Sequence, residues 1–302
     1  MTATTGRVAV IASAGALSEL PILERELARR GADFTVAVAD VPEDATRLAR
    51  EALAAGQRFL VSAGDDANLH YLVNGVVGDE TAAPADVDIG VVAANSGCDV
   101  ARTFGLPQDT SGASQHLFTG NYYELDLVRL AYVDRLGEER SRVFASVAQV
   151  GLGAAVTTRT KGLPKSLGRG RRFLGFWSAI PTFRPQEITV TAGRKSYEGT
   201  AFNVVVGNCQ FAGGGMRLSP RSYPGDGVLD VLVMKGPKSD AFTMLPRIWR
   251  GEHVPSERIA EMNGKEVRIE SAKPMPVEAD GEPLGVTPAS FEVIPQAIRL
   301  RV

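Results

Sequence analysis

Residues 59–76 read FLVSAGDDANLHYLVNGV. FLVSA (59–63) is an apolar run of strand length, Gly64-Asp65-Asp66 is a tight turn, and LHYLVNGV (69–76) has helical spacing. Strand, turn and helix start is the layout that cradles phosphate, because the first N–H groups of a helix and the positive end of its dipole face the anion. Such turns normally carry glycines, which let backbone N–H groups approach oxygen anions with no Cβ in the way. Here two carboxylates stand in the turn. Asp65 would repel a triphosphate by about 1 kcal/mol per charge pair at ~4 Å in water, and by about 4 kcal/mol at an effective dielectric of ~20. A Mg²⁺ between them reverses that sign, since hard cations take carboxylate and phosphate oxygens together. Asp65-Asp66 thus reads as a modified metal–phosphate site or as a ruined one, and Asp66 also suits a helix N-cap.

Outward from this turn, strand and helix alternate. RVAVIA (7–12), FTVAVA (34–39) and IGVVAA (89–94) are strand-like, while LSELPILERELARRG (17–31) and EDATRLAREALAAG (43–56) have helical spacing and end in glycine. This βαβα rhythm predicts a parallel sheet with helices on its faces. From about Asn121 the pattern changes. ELDLVRLAYV, SRVFASVAQVGLG, QEITVTAGRKSYEGTAFNVVVGN, GVLDVLVMK, KEVRIES and ASFEVIPQAIRLRV are strand-like with turn residues between them, and one helical insertion is expected near 239–252. The second domain is therefore β-rich, and a cleft between the two domains is the default ligand site.

The chain has 302 residues, enough for two domains, with 44% apolar and 23% charged residues as in ordinary globular proteins. A formal charge of −2 gives no basic field, which argues against nucleic acid as a partner. Two cysteines, Cys98 and Cys209, make no disulfide framework, and no Cys/His cluster has zinc spacing. The N-terminus lacks a signal-peptide pattern, and no apolar run approaches ~20 residues, so a cytoplasmic location is expected.

Two long segments then carry a resemblance. NCQFAGGGMRLSPRSYPGDGVLDVLVM (208–234) follows the pattern N-x-x-x-x-G-G-G-M-x-x-x-P…D-G-x-L-D-V, and VEADGEPLGVTPASFEVIPQAIRL (277–300) follows D-G-E-P with a closing strand. With them the chain resembles the diacylglycerol kinase and sphingosine kinase family of soluble lipid kinases over nearly its whole length. The resemblance implies a fold of class α/β + β. An N-terminal three-layer α/β nucleotide domain, shared with NAD kinases, would span about 1–120 and be completed by about 291–302. A C-terminal β-sandwich acceptor domain would span 121–290. It also implies transfer of the γ-phosphate of ATP to a lipid hydroxyl, with Mg²⁺. In the nucleotide half the layout matches but the side chains differ. The family's G-G-D-G-T becomes Gly64-Asp65-Asp66-Ala67-Asn68, its first-strand N-P…S-G becomes Ala12-Ser13-Ala14-Gly15, and its P-x-G-T-x-N-D-x-A-R becomes residues 93–102, with Asn95, Ser96, Gly97 and Asp99 inside.

Residue by residue, the resemblance implies the following roles. Gly64, Asp65, Ala67, Asn68, Asn95, Ser96, Gly97 and Asp99 would meet the nucleotide, and Asp66 would position the acceptor hydroxyl or the metal. Asp280 and Glu282 would supply a general base and a ligand for metal or water. Their plain alternative is a hairpin turn. Asp226 would bind Mg²⁺ with a backbone oxygen near Val228, or only turn the chain. Asn208, Gly213, Gly214 and Gly215 would line the acceptor cleft, or only close a tight loop. Ser146 and Gly153 stand where the family often has Asn and Asp, which weakens the case for an amine-bearing acceptor. His70, Cys98 and Cys209 take no chemical role. RTKGLPKSLGRGRRFLGFW (159–177) combines six basic residues with Phe173, Phe176 and Trp177. It reads as a solvated loop over the sandwich, or as a segment docking to anionic lipid at roughly 1 kcal/mol per Lys or Arg.

The expected function is a lipid-kinase-like phosphotransferase acting on a lipid or small-molecule alcohol. Its expected place is the cytoplasm, with peripheral membrane contact. Nucleotide binding should be weak and Mg²⁺-dependent, because the donor stretches have drifted while the second half has not. Two alternatives stay open: a non-catalytic relative that binds lipid or nucleotide, and a kinase for a specialised biosynthetic alcohol.

Overall fold

The strands Val8–Ser13 (β1), Phe34–Ala39 (β2), Phe59–Gly64 (β3) and Asp88–Ala93 (β4) pair in parallel in the order β4-β3-β1-β2. This computed structural model describes residues 7–78, 83–84, 86–94, 97–164, 167–168 and 170–302. β3 and β4 are buried throughout and β1 nearly so, which demands the continuous apolar runs seen in the sequence. The parallel sheet is the one the alternating pattern predicts. Around it stand Leu20–Arg29 (α1), Asp44–Ala54 (α2), Asp66–Val77 (α3), Asp99–Thr103 (α4) and Thr110–His116 (α5). Helix α1 buries Leu20, Leu23 and Leu27, and α2 buries Ala45, Ala49 and Ala52, each a stripe at helical spacing. Small residues let α2 and α3 approach closely. A Cβ on Gly75 would lie 2.5 Å from the Thr46 carbonyl oxygen, and Thr46 Oγ1 donates to the Tyr71 carbonyl at 2.8 Å. Helix α3 begins three residues before the expected start at Leu69, because the Asp65 side chain caps it.

These elements belong to one of two compact units, residues 1–127 with 294–302; the other is 128–293. In the first unit, Arg299 and Leu300 add a parallel partner to Asp88 and Ile89. The Arg299 and Arg301 guanidiniums both pair with the buried Asp88 carboxylate, so two cations balance one desolvated charge.

The second unit is built from Tyr122–Val133 (β5, which starts in the first unit), Glu139–Phe144 (β6), Val147–Gly151 (β7), Gln186–Ala192 (β8), Lys195–Gly207 (β9), Leu229–Lys235 (β10), Ile259–Gly264 (β11), Glu266–Ser271 (β12), Pro276–Ala279 (β13) and Glu282–Arg301 (β14, which ends in the first). The order β11-β10-β9-β7-β13-β14 is antiparallel throughout. Long β9 changes partners along its length: 195–201 pair with β8, and 203–207 with β7. Strand β12 joins β8 to β14, and the sandwich-like layers enclose a core that includes Val128, Phe144, Val190, Val204, Val231 and Phe291.

Three helices cover this unit, not the single insertion expected: Leu152–Lys161 (α6), Gly170–Ala179 (α7) and Asp240–Arg250 (α8). The stretch 159–177, expected as a loop, is largely the end of α6 and most of α7. Helix α6 has no amphipathic stripe to announce it. Its stability comes from packing Leu152 in a second apolar cluster with Val147, Phe202, Val205, Met244 and Ile248. No helix among the described residues is long and apolar enough to cross a membrane.

Candidate active site

In the first unit, the Gly64–Asn68 turn is held mostly by its own side chains. Asp65 is exposed, and its carboxylate accepts the Asn68 N–H at 3.2 Å as the N-cap of α3. Asp66 Oδ1 accepts the Asp99 N–H at 2.7 Å and the Cys98 thiol at 3.2 Å, which ties this turn to the start of α4. Burial first, and then the Asp66 charge, push the Cys98 thiol well up, so it stays a donor rather than a nucleophile. Asn68 points inward, donating from Nδ2 to the Ile11 carbonyl and to Ser62 Oγ, both at 2.9 Å, so its amide braces β1 against β3. Ala67 is buried. Asp99 is almost fully buried, with Arg102 Nε 3.4 Å away, and Gly97 has a positive φ of 78°. Asn95 and Ser96 lie outside the described residues. Asp66 therefore gathers Gly64–Asn68 and Gly97–Asp99 into one corner, and Asp65 is the carboxylate that corner exposes.

In the second unit, Asp280-Gly281 forms the two-residue connection from β13 to β14, with φ of 51° and 77°. Two positive φ values are what a type I′ hairpin turn requires, and Asp-Gly supplies them with little strain. A register shift between Val277 and Glu278 sits just before it. Asp280 accepts from two backbone N–H groups, Ala145 at 3.0 Å and Ser146 at 2.8 Å. Asn208 approaches the same dipeptide, donating from Nδ2 to the Ala145 carbonyl at 2.7 Å, while its N–H and that of Cys209 both reach the Ser146 carbonyl at 2.9 Å. The two motifs singled out in the sequence thus meet on Ala145–Ser146, between β6 and β7. Glu282 is buried and pairs with Lys161 at the end of α6.

Sequence reasoning missed Glu278. It is buried, accepting from Gln149 Nε2 at 2.7 Å and from the Gly281 N–H at 2.9 Å. Burial pushes its carboxyl up to about 8, against the pull of those two bonds and with a further push from Asp280 and Glu282. At neutral pH it holds a proton. Gln149 Oε1 accepts in turn from Asn203 at 3.2 Å, and Asn203 Oδ1 takes the Gly153 N–H at 2.9 Å, at the start of α6. A Cβ on Gly153 would stand 2.0 Å from Gln149 Oε1, so the place where the resemblance expects an aspartate is filled by Gln149.

The remaining residues do not join this hairpin's network. Asp226 is exposed, and its Oδ1 accepts the Val228 N–H at 2.9 Å. Nearby Asp230 has a raised carboxyl pKa, mainly from burial, with Asp226 and Glu261 adding to it against Ser222 and Arg221. No group of three or more His, Cys, Asp or Glu is placed to hold a metal among the described residues. Gly213, Gly214 and Gly215 have φ of 68°, 80° and 107° in a loop closed by paired bonds between Ala212 and Met216. A Cβ on Gly214 would stand 2.3 Å from Arg172 Nη1, so the α7 guanidinium lies against the bare glycine.

Comparison with known proteins agrees with both halves. Residues 13–130 match the family model described as the diacylglycerol kinase catalytic domain, and residues 146–302 match the YegS C-terminal NAD kinase beta sandwich-like domain. A diacylglycerol kinase of Mycobacterium tuberculosis is 27% identical over 297 residues, covering 97% of this chain and 90% of that one. One from Bacillus subtilis is 26% identical over 256 residues, covering 82% and 78%. A crystal structure of a diacylglycerol kinase from Bacillus anthracis shares the fold, with a TM-score of 0.72 and 17% identity over 99% of this chain and 97% of that one. The second family model alone spans more than half of the 302 residues, and the first covers most of the rest. The chain belongs to the diacylglycerol kinase family of lipid kinases.

Proposed function

We propose that the protein transfers the γ-phosphate of ATP, with Mg²⁺, to a hydroxyl of a lipid or lipid-like alcohol. The observation that carries this is the buried hairpin in which Asp280 is oriented by two backbone N–H groups, between protonated Glu278 and ion-paired Glu282. Phosphoryl transfer asks the protein chiefly for positioning and electrostatics. A carboxylate oxygen can accept more than one bond, so Asp280 takes the proton of the acceptor hydroxyl while its backbone partners hold it in place. The hydroxyl oxygen bonds to the γ-phosphorus, the bond to the β-phosphate bridging oxygen breaks, and ADP leaves. Glu282, balanced by Lys161, orders water or metal. Protonated Glu278 adds no third charge.

On the donor side, the backbone of Gly64, Asp65, Ala67 and Asn68 receives phosphate oxygens, with Gly97 and Asp99 beside them, and Asn95 and Ser96 take the nucleotide role that the resemblance implies. Asp65 and Asp66 would hold Mg²⁺ against those phosphates, and nucleotide binding would then be weak without the metal. Mg²⁺, when bound, neutralises phosphate charge. Asp226, exposed and with one carboxylate oxygen bonded to the Val228 N–H, would hold such a cation together with a backbone oxygen at Val228, since Mg²⁺ needs only one or two carboxylates plus water. Asn208 and Gly213–Gly215 shape the acceptor wall.

One observation favours the non-catalytic alternative: the Asp65 carboxylate already caps α3 and the Asp66 carboxylate already ties that turn to Cys98 and Asp99, tasks that need no nucleotide. Calorimetry with ATP, GTP and CTP, with and without Mg²⁺, separates the two. The proposal expects Mg²⁺-dependent ATP binding that Asp66→Asn weakens. No nucleotide binding below millimolar, with ligand binding unchanged in Asp66→Asn and Glu282→Gln, means the kinase reading is wrong.

A further inference from the structure

We propose that the α7–α8 face of the second unit docks on anionic lipid bilayers; the choice of occupant rests on the lipid-kinase reading above. Every exposed Phe or Trp among the described residues lies on these two helices: Phe173 at 63%, Trp177 at 50%, Phe242 at 38% and Trp249 at 51% exposure. They form a connected surface rather than scattered rings. Trp177 stands 5.9 Å from Phe173 and 5.3 Å from Phe242, centroid to centroid, and Phe176 bridges to Phe242 at 5.6 Å. On α8, Ala241, Met244 and Ile248 face the core, while Phe242 and Trp249, two turns apart, form a second stripe that faces outward. A helix with two apolar stripes has one more than its own fold uses, and a contiguous exposed patch of this kind marks an interaction surface. Aromatic rings of this type settle at the boundary between headgroups and acyl chains.

Charge selects the occupant. Residues 152–186 contain no Asp or Glu but seven Lys or Arg, on a chain whose net charge is −2. A second copy would bring these positive charges face to face, whereas anionic headgroups complement them. Exposed Arg172 stands next to Phe173 in the chain, and on α8 Arg247 and Arg250 flank Trp249, Arg250 ion-paired with Glu252 and Arg247 bonded to the Glu252 carbonyl. The face is also tied to the acidic hairpin within the same unit. Arg171 of α7 donates to the Thr160 carbonyl at 2.9 Å, fastening the end of α6, where Lys161 pairs with Glu282.

The chain's only two tryptophans, Trp177 and Trp249, are both on this face, so their fluorescence reads it without a label. The full chain is mixed with vesicles of phosphatidylcholine and phosphatidylglycerol in equal amounts, with brominated acyl chains. The expected result is a blue shift with quenching, and partitioning that falls about tenfold or more on pure phosphatidylcholine, in high salt, or in Phe173→Ser with Phe242→Ser. Should that double variant melt early, Arg172→Glu with fold intact is expected to weaken partitioning several-fold. Unchanged emission with anionic vesicles overturns the proposal, as does a concentration-dependent dimer that Phe173→Ser abolishes, which would give the face to a second copy. Phosphate transfer to a short-chain, water-soluble diacylglycerol without vesicles keeps the two readings apart. Transfer without vesicle binding overturns docking alone; vesicle binding without transfer overturns the kinase reading alone.

Discussion

Glu278 is buried between Gln149 and Gly281, and burial raises its carboxyl from an ordinary 4.5 to about 8. Between those two pH values the folded chain holds a proton there that the unfolded chain has released. Stability contributed at this position is therefore present below pH 4.5 and lost as pH rises towards 8, by up to about 1.4 kcal/mol per pH unit. Glu278→Gln removes the titration, at a pH-independent cost because its amide NH₂ must face the Gln149 or the Gly281 donor. Urea unfolding across pH 5–9 should show the variant gaining on the parent by a few kcal/mol in all, roughly; parallel curves would show that Glu278 is ionised in the fold. Asp280 is held differently, its carboxylate facing two backbone N–H donors. Asp280→Asn turns one acceptor into a donor facing a donor and should cost about 1–3 kcal/mol. An unchanged unfolding midpoint would contradict that geometry. Asp280 and Glu282 were marked out in the sequence by the segment around them. Glu278 was not, because a single glutamate between Val277 and Ala279 looks like any strand residue until its burial is known.

Packing between elements explains what spacing could and could not show. Strands β1, β3 and β4 and helices α1 and α2 follow from apolar period and terminal glycine, because each turns one apolar pattern toward one core. Helices α6 and α7 escape the same test. Gly162, Pro164 and Gly168 interrupt the run between them, and the helices form because tertiary contacts hold them. Gly75 shows contact overriding propensity within α3. Alanine is the better helix former by about 1 kcal/mol, but a Cβ there would lie 2.5 Å from the Thr46 backbone oxygen and 2.8 Å from Ala49 Cβ. Backbone cannot swing aside as a side chain can, and overpacking costs roughly 1–3 kcal/mol. Gly75→Ala should therefore lower the melting temperature. A rise would mean that α2 and α3 stand further apart.

Across the whole molecule, the contrast between drifted donor stretches and intact second-half segments has a structural reason as well as a chemical one. Asn208 and Asp280 both hold Ala145–Ser146, so 208–234 and 277–300 serve the fold of the second unit whatever the chemistry. The family, the α/β start and the β-rich second half could be read from the sequence because they rest on long patterns. The inward turn of Asn68 and the capping by Asp66 could not, since each depends on a partner distant in the chain, Ile11 or Asp99. The central claim is phosphate transfer, and it is tested most directly by incubating the folded chain with γ-radiolabelled ATP, Mg²⁺ and a short-chain diacylglycerol, then extracting the lipid. Lipid-soluble label is expected that requires Mg²⁺ and falls about 10²-fold or more in Asp280→Asn with fold intact. No label in the lipid at millimolar ATP, or label undiminished in that variant, would contradict that claim.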